Sequence, residues 1–182
     1  MEVLMKIVVL TGSPHENGTS FVLADSFIKG AEEAGHSIYR FDAAQKEVNG
    51  CIACNACGQG DAVCVFEDDM QELIPALLSA DMVVFISPVY YSGFTSQIKA
   101  VIDRFYSIDK MLCGAQKSSA LLVTAADTDV RTARGIQAVY EEAIHYLKWE
   151  DKGQIYAIAC AEKGDIEQTD YPEKAYILGK SL

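Results

Sequence analysis

Residues 6–10 read Lys-Ile-Val-Val-Leu and residues 11–20 read Thr-Gly-Ser-Pro-His-Glu-Asn-Gly-Thr-Ser, and this stretch decides the fold. The continuous apolar run, rich in β-branched residues, predicts a buried parallel strand. The polar segment then leads into an amphipathic helix from Ser20 to Ala34. A strand, a polar loop and a helix N-terminus in this order form a phosphate-binding geometry, because backbone N–H groups and the helix dipole converge there.

The polar loop matches neither of the two common nucleotide fingerprints. No lysine follows a second glycine as a P-loop requires, and the spacing from Gly12 to Gly18 is not G-x-G-x-x-G. A hydroxyl-rich loop without lysine suits flavin mononucleotide (FMN) better than a nucleoside triphosphate. The alternative is an ordinary strand-to-helix turn in which Ser and Thr cap the helix.

Length and composition restrict the class of protein. The chain has 182 residues, of which 50% are hydrophobic, so we expect one domain with a sizeable core. A net charge of −11 argues against a nucleic-acid partner. Residues 1–6 do not form a signal peptide, and no apolar stretch approaches the roughly 20 residues that cross a bilayer. We therefore expect a soluble, cytoplasmic protein with no membrane partner, in which the cysteines are metal ligands or thiols.

Further apolar runs alternate with helical patterns along the rest of the chain. They predict strands at 37–41, 81–86, 119–124 and 154–159. Helices are predicted from Glu67 onward, around 98–105 and over 136–147, and a terminal helix or tail over 171–182. Pro75 predicts a kink or a broken first turn in the second helix. Strict alternation predicts an α/β fold whose five-stranded parallel sheet has the order 2-1-3-4-5.

Ligands of such sheets bind beyond the carboxyl ends of the strands, where the strand order reverses. Here that point lies between the first and third strands. The loop after the first strand offers phosphate ligands. The loop Pro88–Phe94 offers an apolar and aromatic wall for a flat ring, with backbone groups free to bond the ring's edge, and Ala125–Asp129 lies alongside. The alternative for Tyr90 and Tyr91 is packing on a neighbouring helix as surface aromatics.

An ordered set of short motifs, covering nearly the whole chain, resembles one known family. The motifs are Gly12-Ser13-Pro14 with Asn17-Gly18, C-x₂-C-x₂-C, Asp68-Asp69-Met70, Ser87-Pro88-Val89-Tyr90 and Ile102-Asp103-Arg104. The set resembles the flavodoxin-like NAD(P)H-dependent FMN reductases, in the branch that includes the iron–sulfur flavoproteins. The resemblance implies a single flavodoxin-like, three-layer FMN-binding domain over residues 1–182, with 43–66 as a cysteine-containing loop insertion.

The resemblance also implies where FMN binds: its phosphate on the first loop, its ring on the second, and the third loop beside it. The implied residues are Ser13, His15, Asn17, Gly18, Thr19, Ser20, Pro88, Val89, Tyr90, Tyr91, Ser92, Gly93, Ala125, Ala126 and Asp127. The chain departs from the family where His15 replaces a common basic residue and Glu16 adds a negative charge. Weaker FMN binding is therefore expected. The third loop also lacks the glycine of the family.

Cys51, Cys54, Cys57 and Cys64 form the pattern C-x₂-C-x₂-C-x₆-C within a long loop. This compact spacing favours a [4Fe–4S] cluster. Zinc is the second interpretation, because zinc sites more often use two distant C-x-x-C pairs. Reduced thiols or occasional disulfides are the third. Cys160, at the end of an apolar strand, is predicted to be a small core residue.

No hydrolytic site is indicated. No Ser-His-Asp or Cys-His arrangement is formed by these motifs, and His36 and His145 are expected to be solvated or to cap helices. The sequence with its resemblance predicts an FMN-dependent oxidoreductase that needs no catalytic side chain, because the cofactor performs the chemistry. A hydride from NAD(P)H would reach the flavin and pass on to a quinone, free flavin, nitro compound or iron–sulfur protein.

Two other classes of function stay open. One is a non-enzymatic electron carrier, a flavodoxin or an iron–sulfur flavoprotein that takes electrons from ferredoxin; strong acidity suits docking on basic partners. The other is a redox sensor that uses its thiols as a switch. A homodimer or homotetramer is implied by the resemblance.

Overall fold

The computed structural model describes residues 4–182. Its strands are β1 (Lys6–Thr11), β2 (Ser37–Asp42), β3 (Met82–Pro88), β4 (Ser118–Thr124) and β5 (Glu150–Ala157). All neighbours pair in parallel, in the order β2-β1-β3-β4-β5. The predicted fold class and strand order are confirmed.

Helices cover both faces of this sheet. They are α1 (Thr19–Glu33), α2 (Met70–Ser79), α3 (Ser96–Arg104), α4 (Asp109–Leu112), α5 (Arg134–Leu147), α6 (Lys163–Glu167) and α7 (Tyr171–Lys180). Alternate residues of the central strands point to two separate cores, so Val83 and Phe85 pack with α2, α3 and α5, whereas Val84 and Ile86 pack with α1 and α7. Within residues 4–182, the helices are too short or too polar to span a membrane.

The C-terminal segment is a helix that packs closely on α1. A Cβ atom on Gly30 would lie 2.1 Å from the backbone oxygen of Tyr176, and one on Gly179 would lie 2.2 Å from that of Phe27. Only glycine permits this backbone approach. The two glycines therefore allow α7 to pack against α1 on the same face of the sheet.

The start of α2 differs from the expectation. The helix begins at Met70, because the carboxylates predicted for its first turn bind backbone N–H groups outside it: Asp69 accepts from Glu47 at 2.8 Å and Asp68 from Asn49 at 3.0 Å. The helix continues through Pro75 to Ser79, so the proline does not end it, and the predicted kink stays a prediction.

Two further expectations need correction. β5 begins at Glu150 and ends at Ala157, instead of spanning 154–159. It is an edge strand whose first half is exposed and carries charged residues, so that half has no apolar run to reveal it in the sequence. His36 is buried, at 6% exposure, and its Nδ1 accepts a hydrogen bond from the backbone of Met5 at 3.2 Å. The expectation of a solvated or capping side chain is wrong for His36, whereas His145 is exposed as predicted.

Candidate functional site

A cleft of about 690 Å³ lies at the carboxyl ends of the strands. Its lining comes from four loops: Ser13–Thr19 after β1, Pro88–Tyr90 after β3, Thr124–Ala126 after β4 and Cys160–Lys163 after β5. The volume is within the roughly 300–1,000 Å³ typical of small-molecule sites. The cleft therefore occupies the place that the strand order predicts for a ligand.

Gly12 holds the first loop against α3. Its N–H donates to Ile86 at 2.8 Å, and its carbonyl accepts from the hydroxyl of Thr95 at 2.7 Å. A Cβ atom on Gly12 would lie 2.6 Å from that hydroxyl oxygen and 2.8 Å from a methyl carbon of Ile98. Any larger residue would displace the loop from its position at the sheet edge.

The hydroxyls around the N-terminus of α1 do not cap it. Ser13 Oγ accepts from the backbone N–H of His15 at 3.2 Å, and Ser20 Oγ shares a hydrogen bond of 2.8 Å with Thr124 Oγ1. Gly18 is the N-cap residue, and no side-chain capping bond joins α1 within the described residues. The capping interpretation of this loop is therefore not supported. An uncapped helix N-terminus at a cleft suits an anion.

The second loop forms a wall of the cleft and then turns away from it. Val89 N–H donates to Thr124 at 2.8 Å, which extends the sheet beside the cleft. Tyr90 and Gly93 exchange two backbone hydrogen bonds, 3.0 and 3.1 Å long, and the two residues between them have positive φ angles of 47° and 62°. Such a tight turn directs Tyr91 into solvent, where it is fully exposed. The N–H groups of Val89 and Tyr90 are thus not free for a ring's edge, contrary to the expectation.

The cleft brings together most of the residues predicted to bind the cofactor. Those that line it are Ser13, His15, Asn17, Gly18, Thr19, Pro88, Val89, Tyr90, Ala125 and Ala126. Those outside its lining are Ser20, Tyr91, Ser92, Gly93 and Asp127. Ser20 is turned toward β4, and the carbonyl of Asp127 accepts from Ala159 at 2.7 Å.

The loop after β5 was missed by sequence reasoning. Its backbone is tied to the loop after β4, since Cys160 N–H donates to Ala125 at 2.9 Å. Cys160 is buried as predicted, at 3% exposure, and it also lines the cleft. Burial and the nearby Asp165 raise the pKa of its thiol. The same loop adds Glu162 and Lys163, two opposite charges, to the lining.

The four cysteines of the predicted metal site line one small cavity. Cys51, Cys54, Cys57 and Cys64 surround it together with Phe66, Arg104 and Tyr106. All four are free thiols; Cys57 is buried, whereas Cys51 and Cys54 are exposed. Among residues 4–182, no three side chains of ligand type are close enough to hold a metal ion. The loop thus gathers the predicted ligands around one cavity without bringing them to coordinating distance.

The chain was compared with known proteins. The profile of the family described as NADPH-dependent FMN reductase matches residues 5–143. An iron–sulfur flavoprotein of Archaeoglobus fulgidus is 37% identical over 101 residues, which are 55% of this chain and 45% of that protein. An iron–sulfur flavoprotein of Methanocaldococcus jannaschii is 33% identical over 100 residues, covering 55% of this chain and 51% of its own. The chain thus spans about half the length of these curated relatives.

Solved structures share the whole fold at low identity. The NAD(P)H:quinone oxidoreductase from Methanothermobacter marburgensis superposes with a TM-score of 0.80 at 16% identity. The match covers 99% of this chain and 96% of that protein. This likeness concerns the flavodoxin-like fold.

Proposed function

This chain belongs to the NADPH-dependent FMN reductase family, and we propose on that premise that it is an FMN-dependent oxidoreductase that uses NAD(P)H. The membership confirms the resemblance carried by the sequence motifs. One observation supports the activity most directly: the cleft of about 690 Å³ joins the uncapped N-terminus of α1 to the apolar segment Pro88–Tyr90. FMN, when bound, supplies a ring that accepts a hydride from nicotinamide and returns electrons to a quinone, flavin or other acceptor.

The first loop fits the phosphate end of FMN. Ser13 and Thr19 line the cleft with hydroxyl groups, and Gly18 leaves the N-terminus of α1 without a competing side chain. The charges of the lining are less favourable for a phosphate, because the two carboxylates of Glu16 and Glu162 outnumber the single lysine there, Lys163. We therefore keep the expectation that FMN binds more weakly than is usual for the family.

The second and third loops fit the ring. Pro88, Val89 and Tyr90 form an apolar wall, and Ala125 and Ala126 lie on the neighbouring loop. These residues orient the ring and exclude water from one side of it. No acidic or basic side chain is needed for the hydride step, so we assign no catalytic side chain.

The cysteine loop is proposed to hold a [4Fe–4S] cluster. The chemistry of the donor set fits, because four free thiols from one segment line a common cavity. The thiols would have to move closer together to bind one centre. The relatives named above are iron–sulfur flavoproteins. A bound cluster would supply one-electron transfer. Iron and acid-labile sulfide that appear after anaerobic reconstitution of the wild type, and not of Cys54→Ala, would support it, whereas stoichiometric zinc or no metal would refute it.

A homodimer or homotetramer is part of the proposal. The turn at Tyr90–Gly93 carries the fully exposed ring of Tyr91 beside the partly exposed Tyr90. Contiguous exposed aromatic surface is typical of an interaction site.

The second candidate function is an electron carrier reduced by ferredoxin. The iron–sulfur flavoprotein relatives and the net charge of −11 favour it. Anaerobic mixing separates the two. A reductase loses its flavin absorbance within seconds after NADPH or NADH is added. If neither nicotinamide bleaches the flavin while a reduced ferredoxin does, the carrier replaces the reductase.

A further inference from the structure

The two ends of the cysteine loop meet at one arginine of α3. Arg104 Nη1 donates to the backbone oxygen of Asn49 at 3.0 Å and to Asp68 Oδ2 at 2.6 Å. Asp68 in turn accepts from the N–H of Asn49 at 3.0 Å and from the N–H of Met70 at 3.2 Å. One guanidinium and one carboxylate thus join Asn49, which precedes the first of the four cysteines, to residues that follow the last one.

This ion pair is enclosed by the protein. The side chains of Arg104 and Asp68 are 1% and 2% exposed. The ring of Phe66 lies over the guanidinium, 5.1 Å from its central carbon. A buried charge is tolerated only when it is paired and its hydrogen-bonding groups are satisfied. Arg104 Nε is nevertheless buried without a hydrogen-bond partner within residues 4–182.

The same side chain lines the cavity that the four cysteines surround. Arg104 is the only cationic residue in the described lining, which otherwise holds aliphatic, aromatic, polar and thiol side chains. Sulfur atoms of thiolates and iron–sulfur clusters accept N–H hydrogen bonds, and such bonds set the stability and reduction potential of the centre. Arg104 carries an unpaired guanidinium N–H and belongs to the lining of the cavity that the four thiols surround.

We propose that Arg104 is a positioning residue for the centre that the cysteines bind. It holds the ends of the loop together through Asn49 and Asp68, and its Nε–H donates to a sulfur atom of the bound group. The inference rests on the proposed cluster. It also gives one role to two motifs that lie far apart in sequence, Asp68-Asp69-Met70 and Ile102-Asp103-Arg104.

The test compares three variants of the full FMN-loaded chain with the wild type. Arg104→Lys keeps the charge and loses the Nε–H donor. The double variant Arg104→Gln with Asp68→Asn makes the pair neutral, so neither charge stays buried alone. Asp103→Asn is the matched control, because Asp103 is the neighbour of Arg104 on α3 but forms an exposed pair with Lys99.

Each protein is reconstituted anaerobically with ferrous iron and sulfide, and then challenged with a chelator. We expect both Arg104 variants to hold iron about 10–100-fold more weakly and to show a lower cluster reduction potential. Their FMN affinity should stay near that of Asp103→Asn, whereas their melting temperatures should fall because the buried contacts of Arg104 are altered. Retention and potential equal to the wild type in Arg104→Lys would overturn the inference.

Two other outcomes are distinguishable. If an Arg104 variant loses FMN binding in proportion to its loss of iron, the residue acts only in folding and the inference fails. If the wild type itself takes up no iron and sulfide, the proposed cluster fails, and this inference fails with it.

Discussion

Two buried serines lie near the start of α1, and we expect one to bind the ligand and the other to stabilise the fold. Ser13 is 4% exposed and lines the cleft, and its hydroxyl bonds only within its own loop. Ser20 is 1% exposed, and its hydroxyl pairs with Thr124 of β4, which is equally buried. The same substitution, Ser to Ala, therefore has different consequences at the two positions.

The magnitudes follow from these contacts. A hydrogen bond to a charged phosphate contributes about 1.5–3 kcal/mol, so Ser13→Ala should weaken FMN binding roughly 10- to 150-fold. Ser20→Ala leaves the buried hydroxyl of Thr124 unpaired, which costs about 1–3 kcal/mol. For a chain of this size, that cost lowers the melting temperature by about 2–12 °C.

The assay is a titration of the apoprotein with FMN, followed by flavin fluorescence, together with thermal unfolding of the same apoprotein. Ser13→Ala should lose affinity and keep its melting temperature. Ser20→Ala should lose stability and keep its affinity. An unchanged Kd in Ser13→Ala, or an equal loss of affinity in Ser20→Ala, would refute the assignment of the two hydroxyls.

Three other properties can be predicted. Gly30→Ala overpacks the contact between α1 and α7 and should cost about 1–3 kcal/mol in thermal unfolding; Gly164→Ala, which meets no atom within 4 Å, is the control and should cost little. Burial raises the pKa of Asp68, but hydrogen bonds from Arg104 and Asn49 outweigh it and hold that pKa below its ordinary value. Its stabilisation is therefore present at neutral pH and lost as the pH falls below about 3.9, so the stability difference between wild type and Asp68→Asn should shrink in acid; a constant difference would contradict this. Light scattering should give a dimer or tetramer mass, and a mass of 19.9 kDa would refute oligomerisation.

The sheet was predictable because its central strands are buried on both faces. Residues 7–10, 82–86 and 119–123 consist almost entirely of buried residues, so each forms a continuous apolar run. The edge strand β5 lacks this signal in its first half, where Glu150, Asp151 and the residues after them face solvent. The sequence therefore predicts the ends of a strand well where both faces of the strand are buried, and poorly where the strand is exposed.

The position of the cleft was predictable, but the directions of single side chains were not. The order of the strands placed three of the four lining loops at one sheet edge. The fourth was hidden because the apolar run continues to Cys160, whereas the chain leaves the sheet after Ala157 and reverses at Ala159, where φ is 58°. Ser20 turns to a residue of β4, 104 positions away, and such a contact has no local signal.

The buried pair of Asp68 and Arg104 was equally hidden. Both residues belong to motifs of the family resemblance, but their spacing of 36 positions gives no indication that they meet. The sequence suggests only an acidic first turn for α2. Asp68 and Arg104 meet in a buried contact only because α3 packs beneath the cysteine loop.

The central claim is that the cleft binds FMN. The loop after β1 is short and leads directly into α1, so we expect FMN rather than FAD. The direct measurement is chromatography of the flavin released when the purified, flavin-reconstituted protein is denatured. We expect FMN to be released; FAD, or no flavin after reconstitution, would contradict the claim.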